Sequence, residues 1–454
     1  QDSAIIKDYT NFALRRNSFR VADVYFGIVD ADNEYKKDKD SFVENFYDLN
    51  NAVQQILEHD NIQYVFGKKG MGKTYIGRYL EETKSNNMRY LSFTKLNYKN
   101  FAFLAKNNPG YEPFMEIWQY VLLTYLVEFV GEEQKIEEIH NILKELFGFK
   151  VTLQQILNKR FKKGVKICNK RVNGYFVKDN NVFELEEIVE MYKYILEEEN
   201  REQHYVIIDG LDEKMNEHPK YKEIINALIW SVQELNDYFF ENNILCKFIL
   251  LMRGDVFDFV SGANINKITT GSSVTLKWVN ESYEKASYPL YEFVDKRLKN
   301  STNREVKLTD ILPEHMQTKN GEIYNTWSWI LNFTTYKPRD VVAFLSFCSV
   351  HCHKGETRLT SEILWDAVKD YSEYFYKELQ DELYGFFTDE QIFFLFDVVF
   401  PKLGMRWVDY QELLGYINQK QLFEDSESED IVERLYNVGI LGIRLDTGYE
   451  HWAY

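Results

Sequence analysis

At 454 residues and 45% apolar composition the chain can bury more than one core, and a prior of ~150 residues per domain predicts two or three domains. A formal net charge of −17 argues against a protein that coats nucleic acid nonspecifically or lies on an anionic membrane, since both need a dominant positive field. Four cysteines make no disulfide framework, no N-terminal apolar stretch reads as a signal peptide, and the most apolar run, "IWQYVLLTYLVEFV", is too short for a membrane span, so the expectation is a soluble cytoplasmic protein with no membrane partner.

A first segment, residues 1–55, leads into an expected core over 56–280. The run "IQYVFG" (62–67) predicts a strand, and "GKKGMGKTYIG" (67–77) then meets the pattern G-x-x-x-x-G-K-[ST] just before a helical pattern. Glycines let consecutive backbone N–H groups turn toward one anion, Lys73 suits the outer phosphates as a point charge, and Thr74 suits Mg²⁺. Gly67, Gly70, Met71, Gly72, Lys73, Thr74 and Tyr75 are therefore the candidate nucleotide-binding residues, with ATP and Mg²⁺ the expected ligands. A bare Gly-rich turn is the poorer reading of a loop so flanked.

A second strand, "MRYLSF" (88–93), precedes a stretch of about residues 95–200 without a convincing strand, where apolar residues recur at helical spacing and predict a helical insertion. Within it Lys159, Arg160, Lys162, Lys163, Lys166, Lys170 and Arg171 form a basic run suited to a nucleic-acid backbone, with Tyr175 or Phe176 to stack; a solvated loop against an acidic neighbour explains it at least as well. The strand "HYVIIDG" (204–210) sets Asp209 at the carboxyl edge of a buried sheet, where it can serve a metal together with Thr74. Asp212 and Glu213 follow in the turn. One of them is the candidate that orients or deprotonates water, Glu213 being favoured for its longer arm, while simple solvation of a surface turn is the alternative. "CKFILLM" (246–252) brings Arg253 out at the same edge, to stabilise γ-phosphate charge or to pair with Asp255. With "SSVTLKW" (272–278) the alternation of strands and helices predicts an α/β fold with a parallel sheet, the P-loop NTPase core.

From about residue 281 the pattern is helical: an expected lid over 281–380 and, over 381–454, helices followed by two short runs around a Gly-containing turn, the order of a winged helix. The helix "SESEDIVERLYNVG" is acidic where a DNA-reading helix should be basic, so contact with protein is expected there. "FCSVHCHKG" puts Cys348 and Cys352 on one helical face, a spacing that permits metal ligation but lacks a second knuckle, and burial is preferred.

Taken together these stretches resemble the additional-strand P-loop ATPases close to the AAA+ and STAND groups: "IIDGLDE" is similar to the acidic motif of NACHT-type proteins, and Arg253 to their sensor 1. More narrowly, "YFGIVDADNE", "FGKKGMGKT", "IIDGLDE", "LMRGDVFDFVSGANINK", "LKWVNESYEKASYPLYEFVDKRL" and "YKPRDVVAFL" resemble the FunZ-type bacterial P-loop ATPases over about residues 25–350. The resemblance implies an ATPase core, a helical lid and a winged-helix-like part, and gives Arg339, just after Pro338, the sensor 2 role toward the γ-phosphate; a helix-start arginine paired to Asp340 or another acid is the alternative. It further implies an ATP-dependent switch, a homo-oligomer, and a bacterial anti-phage setting with an effector encoded separately. A nucleic-acid-stimulated motor and a nucleotide-holding scaffold with little turnover are the other readings. The 135 positions from Thr74 to Asp209 depart from the family pattern because of the insertion, whose role is not carried over.

Overall fold

The computed structural model describes residues 19–451 except 85, 95–111, 148–150, 153–154, 157–164, 167–170, 173–174, 177–181, 184, 212–219, 255–264, 280–287, 318–320, 354, 385, 405–406, 421, 424–427 and 445–449. The chain divides into two compact units, one of Asn50–Lys68 and Lys73–Leu276, the other of Gln1–Leu49, Lys69–Gly72 and Lys277–Tyr454.

The first unit is built on a five-stranded sheet, β1 (Tyr64–Phe66), β2 (Met88–Ser92), β3 (His204–Asp209), β4 (Cys246–Met252) and β5 (Ser273–Thr275), in the spatial order β2-β3-β4-β1-β5. Every pairing is parallel, so all five carboxyl ends lie along one edge. β4 sits inside the sheet and is buried at all seven positions, which is why its sequence reads as a continuous apolar run broken by Lys247 alone. That lysine does structural work: its Nζ donates to the carbonyls of Ile56 and His59 at 2.8 and 2.9 Å, closing the carboxyl end of helix Ala52–Glu58, and burial lowers it to about 8.

Helix α1 (Lys73–Thr83) starts directly after the loop that leaves β1 and packs on β2, β3 and β4 through Ile76, Gly77 and Leu80. The apolar stretch of the insertion is α2 (Glu112–Glu133), largely buried and packed on helix Leu185–Glu199 and α3 (Tyr221–Glu241); Trp118 donates to the Ile224 carbonyl at 2.8 Å and Ser231 to that of Met115 at 3.1 Å. Its apolar residues are thus core, and among the described residues no helix is long and apolar enough to cross a membrane.

The insertion is not purely helical. Two-residue strands pair antiparallel, Val165–Lys166 with Val182–Phe183 and Arg171–Val172 with Tyr175–Phe176, pieces too short to show a period-two pattern. Of the basic run, Lys166 and Arg171 fall on these strands, while Lys159, Arg160, Lys162, Lys163 and Lys170 lie outside the described residues, as do all seven side chains.

In the second unit, "YFGIVDADNE" packs on helix Tyr288–Thr302 through a buried ion pair: Arg297 reaches Glu34 at 2.7 Å and also donates to the Phe26 carbonyl at 3.0 Å. Gly27 adopts φ +127, and a Cβ there would fall 2.2 Å from the Arg297 guanidinium, so the approach requires glycine. Helix α4 (Pro338–His351) lies along α5 (Ser361–Leu383). Beyond them, helices Asp389–Phe394, Tyr410–Ile417 and Ser428–Asn437 and the antiparallel pair Ile443–Arg444 and Glu450–His451 give the winged-helix-like order, around a core that includes Leu395, Leu413, Ile417, Ile431 and Leu435. Cys348 is buried on α4, His351 is paired with Asp370 at 2.8 Å, and no group of three His, Cys, Asp or Glu side chains among the described residues is placed to hold a metal.

Gly77 tests the packing of α1. An added Cβ would fall 2.7 Å from the Tyr90 ring and 3.0 Å from Leu251 Cδ1, so Gly77→Val should destabilise the protein by roughly 1–3 kcal/mol, read as a lowered urea midpoint at unchanged slope. A midpoint equal to wild type would show that this helix–sheet contact tolerates a side chain.

Candidate nucleotide-binding site

The loop between β1 and α1 takes its shape from two glycines, Gly70 at φ +84 and Gly72 at φ +97, values that side chains rarely adopt. Among the described residues no heavy atom lies within 4 Å of where a Cβ on Gly72 would stand, so that face of the loop is open. Gly67 is anchored to the sheet by its N–H, which donates to the Met252 carbonyl at 3.3 Å. Lys73, buried, donates to the carbonyls of Gly67 and Lys68 at 2.8 and 3.2 Å, which keeps the ammonium on the loop. Tyr75 follows in the first turn of α1, half-buried.

Asp209 ends β3, buried, and its carboxylate is surrounded by donors. Thr74 donates to Oδ2 at 2.7 Å, Tyr90 donates to the same oxygen at 2.6 Å, and the Gly210 N–H reaches Oδ1 at 2.8 Å. The structure therefore brings the loop-end hydroxyl and the strand-end carboxylate together across 135 positions of sequence. Both are hard oxygen donors, and such a pair fits Mg²⁺, which takes one or two protein oxygens along with phosphate and water. Arg253 follows β4 immediately and is buried at the same sheet edge. Asp212 and Glu213, the candidates for water activation, lie outside the described residues, as does Asp255.

The middle of the loop is described with the second unit. There the Met71 carbonyl accepts from Trp278 Nε1 at 3.0 Å, and the Gly70 carbonyl accepts from the Arg339 N–H at 3.4 Å. Pro338 opens α4 at its first turn, and the Arg339 side chain runs past Gly70, its Cβ, Cδ and Nε 3.3–3.6 Å from where a Gly70 Cβ would stand. Its guanidinium reaches Glu378 of α5 at 3.0 Å, and Lys69 reaches the same carboxylate oxygen at 3.3 Å.

Beneath Arg339 the charges are buried. Lys337 pairs with Glu382 at 3.3 Å, and Asp340 accepts from Thr335 at 3.3 Å. Burial raises Asp340 to about 6, with Glu382 and Glu378 pushing the same way against Lys337 and Arg339.

Tyr90, Trp278, Lys69 and Glu378 were not singled out by the sequence. Lys69 sits inside the phosphate-loop pattern and carried a signal that could have been followed; the others are long-range partners without a local signature.

Residues 288–380 match the family described as the FunZ-associated C-terminal helical domain, overlapping the end of the span where the sequence resembles FunZ-type ATPases and running beyond it. No curated protein matches the chain. Among solved structures it is similar to a Walker-type ATPase of Pyrococcus abyssi (14% identity, 89% of this chain and 91% of that one, TM-score 0.41). It is also similar to the Orc1 protein of Aeropyrum pernix in complex with DNA (10%, 88% and 85%, TM-score 0.37) and to Cdc6p from Pyrobaculum aerophilum (10%, 86% and 83%, TM-score 0.33). These likenesses are distant; what defines the fold is the parallel sheet order with the phosphate loop after β1, the arrangement of a P-loop NTPase core.

The buried carboxylate of Asp340 has a pH signature. Between its ordinary value of 3.8 and about 6 only the folded chain keeps the proton, so stability contributed by this group falls as pH rises through that window, and the cost stands in full above it. Asp340→Asn removes the titration, and its stability relative to wild type should rise by roughly 1–3 kcal/mol between pH 4 and pH 7. Urea unfolding at several pH values measures this; a constant difference would place Asp340 in a solvated environment.

Proposed function

We propose that the chain is an ATP-binding and ATP-hydrolysing regulatory switch of AAA+ or STAND type. The observation that supports this most is the hydrogen bond from Thr74 to Asp209, 2.7 Å, at the edge where the phosphate loop leaves the sheet. A loop with two left-handed glycines, a lysine held on it and an oxygen pair beside it has the parts that phosphoryl transfer needs, since that chemistry is mostly positioning and charge stabilisation.

In this reading Lys73 and the loop N–H groups bind the phosphates, Thr74 and Asp209 hold Mg²⁺, and Glu213, or Asp212 beside it, takes the proton from the attacking water. Bound Mg²⁺ supplies charge neutralisation on the phosphate oxygens. Arg253 and Arg339 respond to γ-phosphate charge, and loss of that charge releases them. The chain acts as a homo-oligomer in bacterial anti-phage defence, and passes its state to an effector on a separate chain. Mass measurement of the purified complex with and without ATP tests the assembly. Stimulation of turnover by DNA or RNA would instead select a nucleic-acid motor, and absence of turnover a scaffold.

Two substitutions test the chemistry. Lys73→Ala removes a cation facing two or three phosphate charges and should weaken ATP binding about tenfold or more with the fold retained; unchanged affinity in a titration would exclude the loop as the nucleotide site. Glu213→Gln should keep ATP bound and slow turnover by ~100-fold or more. If only Asp212→Asn stalls hydrolysis, the base is one residue earlier.

A further inference from the structure

We propose that Glu378 limits the preference of the site for a nucleoside triphosphate over a diphosphate, as a resident counter-ion that a γ-phosphate must displace from Arg339 and Lys69. This rests on the nucleotide-site reading above and goes beyond it by naming the residue that competes with the γ-phosphate.

A single carboxylate oxygen of Glu378 serves two cations, Arg339 Nη1 at 3.0 Å and Lys69 Nζ at 3.3 Å. Both cations belong to the phosphate loop or touch it. Lys69 is part of it, and Arg339 donates its N–H to the Gly70 carbonyl and lays its side chain along Gly70. Glu378 thus does for these two groups what a terminal phosphate would do: it supplies an anion to a guanidinium and an ammonium that converge from different segments. One oxygen of Glu378 is shared by both cations, and a γ-phosphate, with more charge and three acceptor oxygens, satisfies both better.

Burial separates the part that exchanges from the part that stays. Side chains of Lys69, Arg339 and Glu378 are 28%, 25% and 25% exposed, a setting in which an ion pair is worth little and is broken cheaply. One turn further along α5, Glu382 pairs with Lys337 at only 6% and 7% exposure, and breaking that pair would strand a buried charge. The Lys337–Glu382 pair therefore holds the start of α4 against α5 while Arg339, two residues on, changes partners. A diphosphate, lacking the third phosphoryl group, leaves Glu378 in possession.

The experiment measures dissociation constants of ATPγS and ADP, both with Mg²⁺, on the full chain for wild type, Glu378→Gln, Arg339→Ala and the double variant. Glu378→Gln should tighten ATPγS about tenfold and ADP less than about threefold, and the selective gain should vanish in the Arg339→Ala background. Weaker ATPγS binding in Glu378→Gln, or equal shifts for both nucleotides, would overturn the inference. Should Glu378→Gln not fold, Glu378→Asp, which withdraws the carboxylate by one methylene, should show the same selective gain at smaller size. A wild type that binds ATPγS through Lys73 while the ratio is unmoved by Glu378→Gln defeats this inference alone; a wild type whose binding ignores Lys73→Ala defeats the site reading beneath it as well.

Discussion

Asp209 is the constraint around which the sheet unit is organised. A buried carboxylate must find donors, and this one draws them from three places: Tyr90 on β2, Thr74 on α1, and the Gly210 N–H in its own turn. Meeting those demands sets the height of α1 over the sheet, because Thr74 and Tyr90 converge on one oxygen. It also makes glycine useful at position 77, where α1 comes closest to the Tyr90 ring. Hydrogen bonds within the protein thereby order the carboxyl edge of the sheet, and Thr74 and Asp209 are oxygens of the kind a hard cation takes.

The second unit spends charge in two different ways. Arg297 and Glu34 are sealed from water, with the Phe26 carbonyl as a further acceptor, and they fasten the N-terminal segment to helix Tyr288–Thr302. Such a pair contributes specificity of docking more than net stability, since desolvation takes back most of the attraction. Asp340, Lys337 and Glu382 form a second buried set, where burial raises Asp340 and Glu382 and Glu378 push the same way against Lys337 and Arg339. Arg339 stands where this fixed set meets solvent. That position suits a group that reports on something bound, because its neighbours cannot follow when it moves.

Legibility in the sequence followed locality. The strands of the sheet were readable because parallel strands buried on both faces are unbroken apolar runs, and "CKFILLM" matches β4 residue for residue. The phosphate loop was readable because its chemistry demands glycine and lysine at fixed spacing. Arg253 and Asp209 followed from being the first polar residues after such runs. Tyr90, by contrast, looks like one more apolar position of a strand, and only the fold shows its hydroxyl on Asp209. Glu378 sits in "YSEYFYKELQDEL", whose aromatics read as a buried helix interface and gave no sign of which of its charges would matter, and its partner Lys69 is 309 positions earlier in the chain. The antiparallel pieces at 165–183 escaped because two residues cannot display alternation.

The remaining chemistry of the described residues points away from a second active centre. A thiol nucleophile needs a lowered pKa and access, yet burial pushes Cys246 and Cys348 up, and raises Cys352 to about 11. His351 is engaged with Asp370, and His204 is buried edge-on to Phe129, so neither stands beside a nucleophile. What is left to act on a substrate is an ammonium, two guanidinium groups, a hydroxyl and carboxylates, a set with little to offer in covalent catalysis and much to offer in gripping and releasing phosphate. Among the described residues the groups that gather at the sheet edge therefore suit the handling of phosphate charge more than nucleophilic attack.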